Sequence, residues 1–199
     1  MQPTDARVLE LVRHAGILRP RDLSTIGCAR TILARMVRQG QLEKVARGMY
    51  QLPEAEPTRH HSLAEAAKRI PTGAICLLSA LRFHELGTQS PHEVWMAVDR
   101  KARRPNGGYP PLHIVRFSGD ALISGVEAHI LDGVCVKITA PARTIADCFK
   151  YRTKIGLDVG LEALRAYLDE RRGTIDDLWR FAKMNRVTGI MRPYLEALA

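Results

Sequence analysis

Side chains that can hydrogen-bond to nucleic-acid bases and phosphates recur along one short segment, residues 28–38. On a helix they share one face, and they are Arg30, Thr31, Arg35 and Arg38. The opposite face is apolar and carries Ile32, Leu33, Met36 and Val37. An arginine can both read a guanine edge and neutralise a phosphate. The segment therefore predicts an amphipathic helix that packs through one side and contacts DNA through the other.

The flanking residues predict the elements that would position this helix. Residues 5–24 predict two further helices, and Gly40 ends the basic helix through a left-handed backbone. Two β-prone runs then flank Arg47-Gly48, a two-residue hairpin turn. Helix, helix, basic helix and hairpin make a winged helix-turn-helix, in which the second helix of the turn enters the major groove and the wing holds phosphates. Lys44 and Arg47 are the expected wing contacts.

The basic excess is concentrated in the same region. Residues 1–53 contain nine Lys and Arg against four Asp and Glu, so they carry +5 of the chain's net charge of +9. Attraction to phosphates requires such an excess. A solvated basic helix face would give a similar composition, but the helical pattern and the charge agree independently. We therefore predict a DNA-binding domain at residues 1–53.

Residues 54–199 predict a second domain of mixed α and β structure. Pro53 and Pro57 interrupt the last strand of the wing and mark the boundary. The expected elements are a helix over 62–69 with Ser62 and Glu65 as a capping box, a helix over 75–87 ended by Gly87, strands at 94–98 and 112–117, and a hairpin of 126–131 and 134–138 about Asp132-Gly133.

The pattern beyond Ile138 is helical. Pro141 opens a helix through Lys150, residues 160–171 form the next, Thr174 caps a third, and residues 190–198 form the last, with Pro193 in its first turn. The predicted fold class is therefore α+β. An N-terminal winged helix-turn-helix is followed by a mixed α/β domain that ends in a helical segment.

The sequence lacks a recognisable catalytic or metal-binding motif. Its carboxylates are scattered over predicted turns and exposed faces, whereas a nuclease gathers two or three of them around a divalent metal. Among the chain's 21 acidic side chains, those weighed as candidates are Asp132, Asp147, Asp158, Glu162, Asp169 and Glu170. His60 and His61 are adjacent and point apart, so a place at the start of a helix is favoured over a metal site. We expect no enzymatic activity, no metal and no cofactor.

Two features of the second domain remain open. The densest basic cluster of the chain is Arg100, Lys101, Arg103 and Arg104. It is either a solvated loop or a second contact, to phosphates or to an acidic partner. Arg143 and Asp147 stand four residues apart on one helix face, where they can pair and stabilise the helix.

The composition also bears on the cellular compartment. Cys28, Cys76, Cys135 and Cys148 are widely spaced among apolar neighbours, which indicates buried thiols in a reducing cytosol. The sequence has no apolar run of about 20 residues that could span a membrane. The first residues lack the basic start and apolar core of a signal peptide. We expect a cytoplasmic protein that makes no membrane contact.

Three segments carry a resemblance to a known family. They are the helix-turn-helix with its Arg47-Gly-Met-Tyr-Gln-Leu52 ending, Cys76-Leu-Leu-Ser-Ala-Leu-Arg-Phe-His84, and Ala140-Pro-Ala-Arg-Thr-Ile-Ala-Asp147, which is similar to a P-x-R-T-x-x-D stretch. In their order and spacing they resemble the AbiEi antitoxins of bacterial type IV toxin–antitoxin and phage-defence systems. The resemblance covers nearly the whole chain, roughly residues 5–185.

The resemblance implies a repressor that is also an antitoxin. The N-terminal domain would bind inverted repeats in its own promoter, and the C-terminal domain would protect against a nucleotidyltransferase-like toxin. It leaves open whether the two proteins touch. Two alternatives remain: a free-standing regulator with a sensing C-terminal domain, and a metal-dependent nuclease-like enzyme.

Overall fold

The computed structural model describes residues 3–54, 58–103 and 108–198, and it has an α+β fold, as predicted. The chain divides into two compact units. The first contains the described residues up to Ile70, residues 108–110 and His129–Val136, and the second contains the remainder. The first unit thus continues past the predicted boundary at residue 53. None of the described helices is long and apolar enough to cross a bilayer.

The first unit begins with the elements expected around the basic helix. They are α1 Pro3–Ala15, a 3₁₀ helix Asp22–Ile26, α2 Thr31–Arg38, β1 Glu43–Ala46 and β2 Met49–Gln51; α3 His61–Arg69 follows, although the sequence assigned this helix to the second domain. The second helix of the predicted motif is thus a single 3₁₀ segment, and the basic helix begins at Thr31 instead of residue 28. The core formed around α1, the 3₁₀ helix and α2 consists of Val8, Leu9, Val12, Leu18, Leu23, Ile32, Leu33, Met36 and Leu42.

The hairpin β1–β2 forms about Arg47-Gly48, as predicted. Lys44 pairs with Tyr50 in the antiparallel register, and Tyr50 also exchanges backbone hydrogen bonds with Leu18 at 2.8 and 2.9 Å. Leu18 therefore adds a third line of backbone pairing to the hairpin. Gly48 has φ +72°, a conformation that penalises any residue with a Cβ.

The capping box predicted for α3 is wrong. The helix begins at His61 after His60, so Ser62 lies inside the first turn and its side chain does not cap the helix. Glu65 is buried instead of reaching back to the helix start. The adjacent histidines do open this helix, as expected.

The second unit contains most of a five-stranded mixed sheet. Its strands are β3 Ala74–Ile75, β4 Val94–Asp99, β5 Leu112–Phe117, β6 Val126–Leu131 and β7 Val134–Thr139, in the order β5-β4-β3-β7-β6. β3 runs antiparallel to β4 and parallel to β7, whereas β4 and β5 are parallel. The tip of the β6–β7 hairpin belongs to the first unit.

The expected helix over residues 75–87 is shorter than predicted. Ile75 is a strand residue that pairs with Met96 and Ile138, and α4 covers only Leu77–His84. Glu85, with φ +60°, ends the helix in place of Gly87. Pairing in the centre of the sheet overrides the helical spacing of the apolar residues here.

The hairpin about Asp132-Gly133 is confirmed. Both residues have positive φ, +47° and +72°, which is the signature of a type I′ turn. This turn matches the right-handed twist of the flanking strands.

The chain after the sheet is helical, as expected. It forms α6 Pro141–Lys150, α7 Arg152–Ile155, α8 Leu157–Asp169, α9 Ile175–Asn185 and α10 Thr188–Leu198, and a short α5 Asp120–Ile123 lies between β5 and β6. Pro141 occupies the first turn of α6, and the Thr174 hydroxyl accepts a hydrogen bond from the Asp177 amide at 3.1 Å, as predicted. Pro193 lies inside α10 instead of its first turn, because the helix begins earlier than expected.

Candidate nucleic-acid interface

The amphipathic character of α2 is confirmed by its burial. Ile32, Leu33 and Met36 face the core of the first unit and are at most 8% exposed. The other side of the helix is open to solvent and carries Arg30, Thr31, Ala34 and Arg38. Among the described residues, Arg30 and Arg38 have no side-chain hydrogen bond or ion pair in the structure. Their guanidinium groups are available to an external ligand.

Arg35 is placed differently from the other predicted contacts. Its guanidinium pairs with the carboxylate of Asp5 in α1, and that carboxylate is only 5% exposed. The Arg35 side chain itself is 34% exposed. Sequence spacing predicts that Arg35 lies on the polar face and is free to contact DNA. In the structure its guanidinium is instead paired with a buried carboxylate.

We expect Arg35→Ala to lower stability as well as any DNA affinity. The substitution leaves Asp5 buried without its charged partner, at a cost of about 1–3 kcal/mol in the free energy of unfolding. Chemical denaturation of the variant measures this loss. Adding Asp5→Ala should recover part of it, because the unpaired charge is then gone. If Arg35→Ala has the same free energy of unfolding as the wild type, then the Arg35–Asp5 ion pair does not stabilise the fold.

The hairpin presents both predicted wing residues to solvent. Lys44 lies in β1 and Arg47 in the turn, and both side chains are exposed. Met49 is buried and anchors the hairpin to the unit. The geometry leaves the two cations at the free edge of the hairpin.

Arginines outside the predicted set of DNA contacts adjoin the same surface. A shallow depression of about 310 Å³ is lined by Arg19, Pro20, Arg21, Arg30, Arg47, Gly48, Met49 and Arg69. Five of its eight lining residues are arginines, which makes it attractive to a phosphate. The sequence signal that could have found it is the pair Arg19-Pro-Arg21, placed before the 3₁₀ helix.

One carboxylate organises part of this surface. Asp22 pairs with Arg19 and lies 3.3 Å from the Lys68 ammonium in α3. Burial lowers the pKa of Arg19 and of Lys68, and Asp22 offsets part of that effect in both. Asp22 thus holds two partly desolvated cations in fixed positions beside the depression.

The basic cluster of the second domain lies in the loop after β4. Arg100, Lys101 and Arg103 are exposed, whereas Arg104 lies outside the described residues. The Lys101 amide donates to the Asp99 carboxylate at 2.7 Å, and the Arg100 amide donates to the Phe117 carbonyl at 2.8 Å. The loop is therefore tied to the ends of β4 and β5.

Arg143 and Asp147 are not an exposed helix pair. Both are fully buried, and Arg143 Nε donates to Asp147 Oδ2 at 2.9 Å. Arg143 also donates to the carbonyls of Ser124 at 2.9 Å and Ala121 at 2.7 Å. Asn185 Nδ2 donates to the second Asp147 oxygen at 2.7 Å. Burial raises the pKa of Asp147, and Arg143 opposes the rise.

The P-x-R-T-x-x-D stretch is therefore a buried structural motif. Its threonine, Thr144, shares a 2.7 Å hydrogen bond with the Thr139 hydroxyl and also bonds the carbonyls of Thr139 and Ala140. The prediction that Asp147 lies on an exposed face is wrong, because spacing within α6 does not show that α9 covers it.

The histidines and cysteines show no metal arrangement. His61 Nδ1 lies 2.7 Å from Asp132 Oδ2, a pairing that the sequence did not indicate. No group of three or more potential metal ligands occurs within residues 3–54, 58–103 and 108–198. Cys76 and Cys148 are buried, as expected, and Cys28 is half-buried. The expectation that Cys135 is buried is wrong, because its side chain is on the exposed side of β7.

The N-terminal part of the chain matches a known protein family. Residues 6–53 match the family model described as "Transcriptional regulator, AbiEi antitoxin". The resemblance predicted from the sequence is thus confirmed for residues 6–53, which we call the AbiEi segment. This segment contains most of α1, the 3₁₀ helix, α2 and the hairpin, so it includes the exposed face of α2 and both predicted wing cations.

Comparison with solved structures extends to the rest of the chain. The fold is similar to that of the RV2827C protein from Mycobacterium tuberculosis, with a TM-score of 0.58 and 14% sequence identity. The similarity covers 92% of this chain and 72% of the other, so it relates the folds well beyond the AbiEi segment. A comparison with curated proteins found no match.

Proposed function

We propose that the first unit acts as a winged helix-turn-helix that binds double-stranded DNA at inverted repeats in its own promoter. The observation that carries the proposal is the exposed face of α2. Arg30, Thr31 and Arg38 face solvent there, while the opposite face of the helix is fixed in the core. A short helix with one buried face and free guanidiniums on the other is suited to the major groove.

The hairpin and the arginine-lined depression support the same proposal. Lys44 and Arg47 supply phosphate contacts that are independent of sequence. Arg19 and Arg21 extend the basic surface beyond the hairpin. Base contacts from α2 and phosphate contacts from these cations would together set the register of the duplex.

Two double variants separate base reading from phosphate binding. Arg30→Ala with Arg38→Ala should weaken specific promoter binding by about 10- to 100-fold if these arginines contact bases, and it should reduce discrimination against unrelated duplexes. Lys44→Ala with Arg47→Ala should weaken binding to every duplex, and it should lower the salt slope by about one for each phosphate that is no longer neutralised. Fluorescence anisotropy titrations at several salt concentrations measure both effects.

The control is a double variant of equal charge on the second unit, Arg165→Ala with Arg192→Ala, whose side chains are exposed. It should bind as the wild type does. If the α2 variant retains both affinity and discrimination, then α2 does not enter the groove. An unchanged salt slope in the hairpin variant would mean that the wing stands away from the duplex.

We propose further that the protein is the antitoxin of a nucleotidyltransferase-like toxin and represses its own operon. The match of residues 6–53 to the AbiEi description supports this role. We propose no catalytic activity and no cofactor for the chain, and a cytoplasmic location. A free-standing regulator remains the alternative, since DNA binding by α2 serves either protein equally.

Co-expression with a nucleotidyltransferase-like gene, if one neighbours this gene, distinguishes the two. The toxin is placed under an unrelated promoter, so repression by the antitoxin cannot explain survival. We expect the full chain to restore growth, and the Arg30→Ala, Arg38→Ala variant to restore it equally. Growth arrest with both proteins favours the free-standing regulator. Rescue by the wild type alone would mean that protection requires the DNA-binding surface.

A further inference from the structure

A pocket of about 270 Å³ on the second unit has no part in the proposed DNA reading. It is lined by Trp95 from β4, residues His113 to Arg116 from β5, and Tyr151 and Lys154 next to and within α7. Aromatic rings and cations are thus gathered around one concave surface. Patterns along the sequence could not indicate it, because its members come from three separate segments.

The aromatic part of the pocket is a stacked pair. Trp95 and His113 lie opposite each other on the parallel strands β4 and β5. Their ring centroids are 3.7 Å apart and their planes differ by 18°. The His113 side chain is 41% exposed, so the stack reaches solvent. A flat ligand can extend such a stack.

Tyr151 and Lys154 also line the pocket. The Lys154 ammonium lies 5.7 Å from the centre of the Tyr151 ring. Burial and the nearby Asp147 raise the pKa of Tyr151 to about 12, so its phenol is protonated at neutral pH. The pocket lining therefore includes a neutral phenol and a cation in addition to the stacked rings.

Arg116 connects the pocket to the basic loop. Its guanidinium donates to the carbonyls of Asp99 at 3.0 Å and Ala102 at 2.5 Å. The exposed cations Arg100, Lys101 and Arg103 follow the far end of β4, so they begin about 16 Å from Trp95 along the strand. Aromatic rings that accept bases, together with a line of cations that accept phosphates, are the two requirements of a single-strand binding surface.

We propose that this pocket and the Arg100–Arg103 loop bind single-stranded nucleic acid. One base stacks on the Trp95–His113 pair, and the following phosphates lie along Lys154 and the loop. A duplex does not fit this role, because its bases are already stacked on each other and cannot reach an aromatic side chain. The proposal gives the basic cluster a function that is independent of α2.

Trp95 provides a direct signal for the test. The chain has two tryptophans, so the full-length Trp179→Phe variant leaves Trp95 as the single emitter. Titration with single-stranded RNA and DNA of about 10 nucleotides should quench its fluorescence, whereas a blunt duplex of the same sequence should not. Comparison of the two single strands shows whether the pocket prefers ribose or deoxyribose, and either preference supports the proposal.

The contact residues are then tested in the same background. His113→Ala should weaken single-strand binding about 10-fold through loss of stacking. Replacing Arg100, Lys101 and Arg103 with alanine should weaken it further and reduce its salt dependence. The matched controls are His92→Ala and the triple change Arg165→Ala, Lys183→Ala, Arg192→Ala, all at exposed positions. Circular dichroism melts confirm that each variant is folded.

The α2 double variant separates single-strand binding from promoter binding. Arg30→Ala with Arg38→Ala should lose the promoter duplex yet bind the single strand as before. The proposal is overturned if no quench occurs, or if His113→Ala and the loop variant bind as their controls do. The proposal is also overturned if the Arg30→Ala, Arg38→Ala variant loses single-strand binding while the pocket and loop variants keep it, because the activity would then belong to α2.

Discussion

Arg143→Ala should destabilise the protein by about 3–5 kcal/mol, because it removes one partner of a buried ion pair. The substitution leaves the Asp147 carboxylate without its guanidinium in an environment that excludes water. It also leaves the carbonyls of Ser124 and Ala121 without the donors that now satisfy them. Urea unfolding followed by tryptophan fluorescence measures the loss, since both tryptophans lie in the second unit.

A double variant distinguishes a charge effect from a packing effect. Replacing both partners with apolar residues, Arg143→Met with Asp147→Leu, should cost less than either single change, because no buried charge is then left unpaired. Asp147→Asn is the conservative comparison, and it keeps the shape of the side chain. If the stability lost in the double variant equals the sum of the losses in the two single variants, the expectation is contradicted, because coupled partners give non-additive losses.

Gly16→Ala should cost about 4 kcal/mol, the second large effect that we expect. Gly16 has φ +61°, and a Cβ built on it would overlap the carbonyl oxygen of Asp132. That carbonyl is backbone and cannot rotate away. The end of α1 and the hairpin tip would have to separate, and the 2.7 Å contact of Asp132 with His61 would be disturbed with them.

Gly27→Ala is the matched control for this prediction. Gly27 has nearly the same backbone angle, φ +65°, but nothing lies within 4 Å of a Cβ placed there. It should therefore show only the conformational penalty of about 1–2 kcal/mol. The difference between the two variants in chemical denaturation isolates the steric contribution. Equal losses would mean that the chain relaxes at Gly16 without cost.

Local chemistry determined which features could be predicted from the sequence. The Asp132-Gly133 turn and the Thr174 cap depend on adjacent residues, and both formed as expected. The buried stripe of α2 follows from spacing within one helix. In each case the deciding interaction lies within a few residues along the chain.

Features decided by distant residues were missed. Ile75 has helical spacing, but pairing with Met96 and Ile138 makes it a strand residue. Arg35 shares a face with Arg38, yet Asp5 in another helix engages its charge. Asp147 looks exposed within α6 until Asn185 from α9 closes over it. Spacing along a single element cannot reveal a partner that lies far away along the chain.

The discontinuity of the first unit has a consequence for synthesis on the ribosome. His129–Val136 belongs to this unit together with the N-terminal helices, and some sixty residues separate its two main parts along the chain. A nascent chain that has just emerged through β2 contains every residue of the helix-turn-helix but lacks the segment against which Gly16 rests. DNA-binding competence should consequently arise late in translation, after about two thirds of the polypeptide has been made.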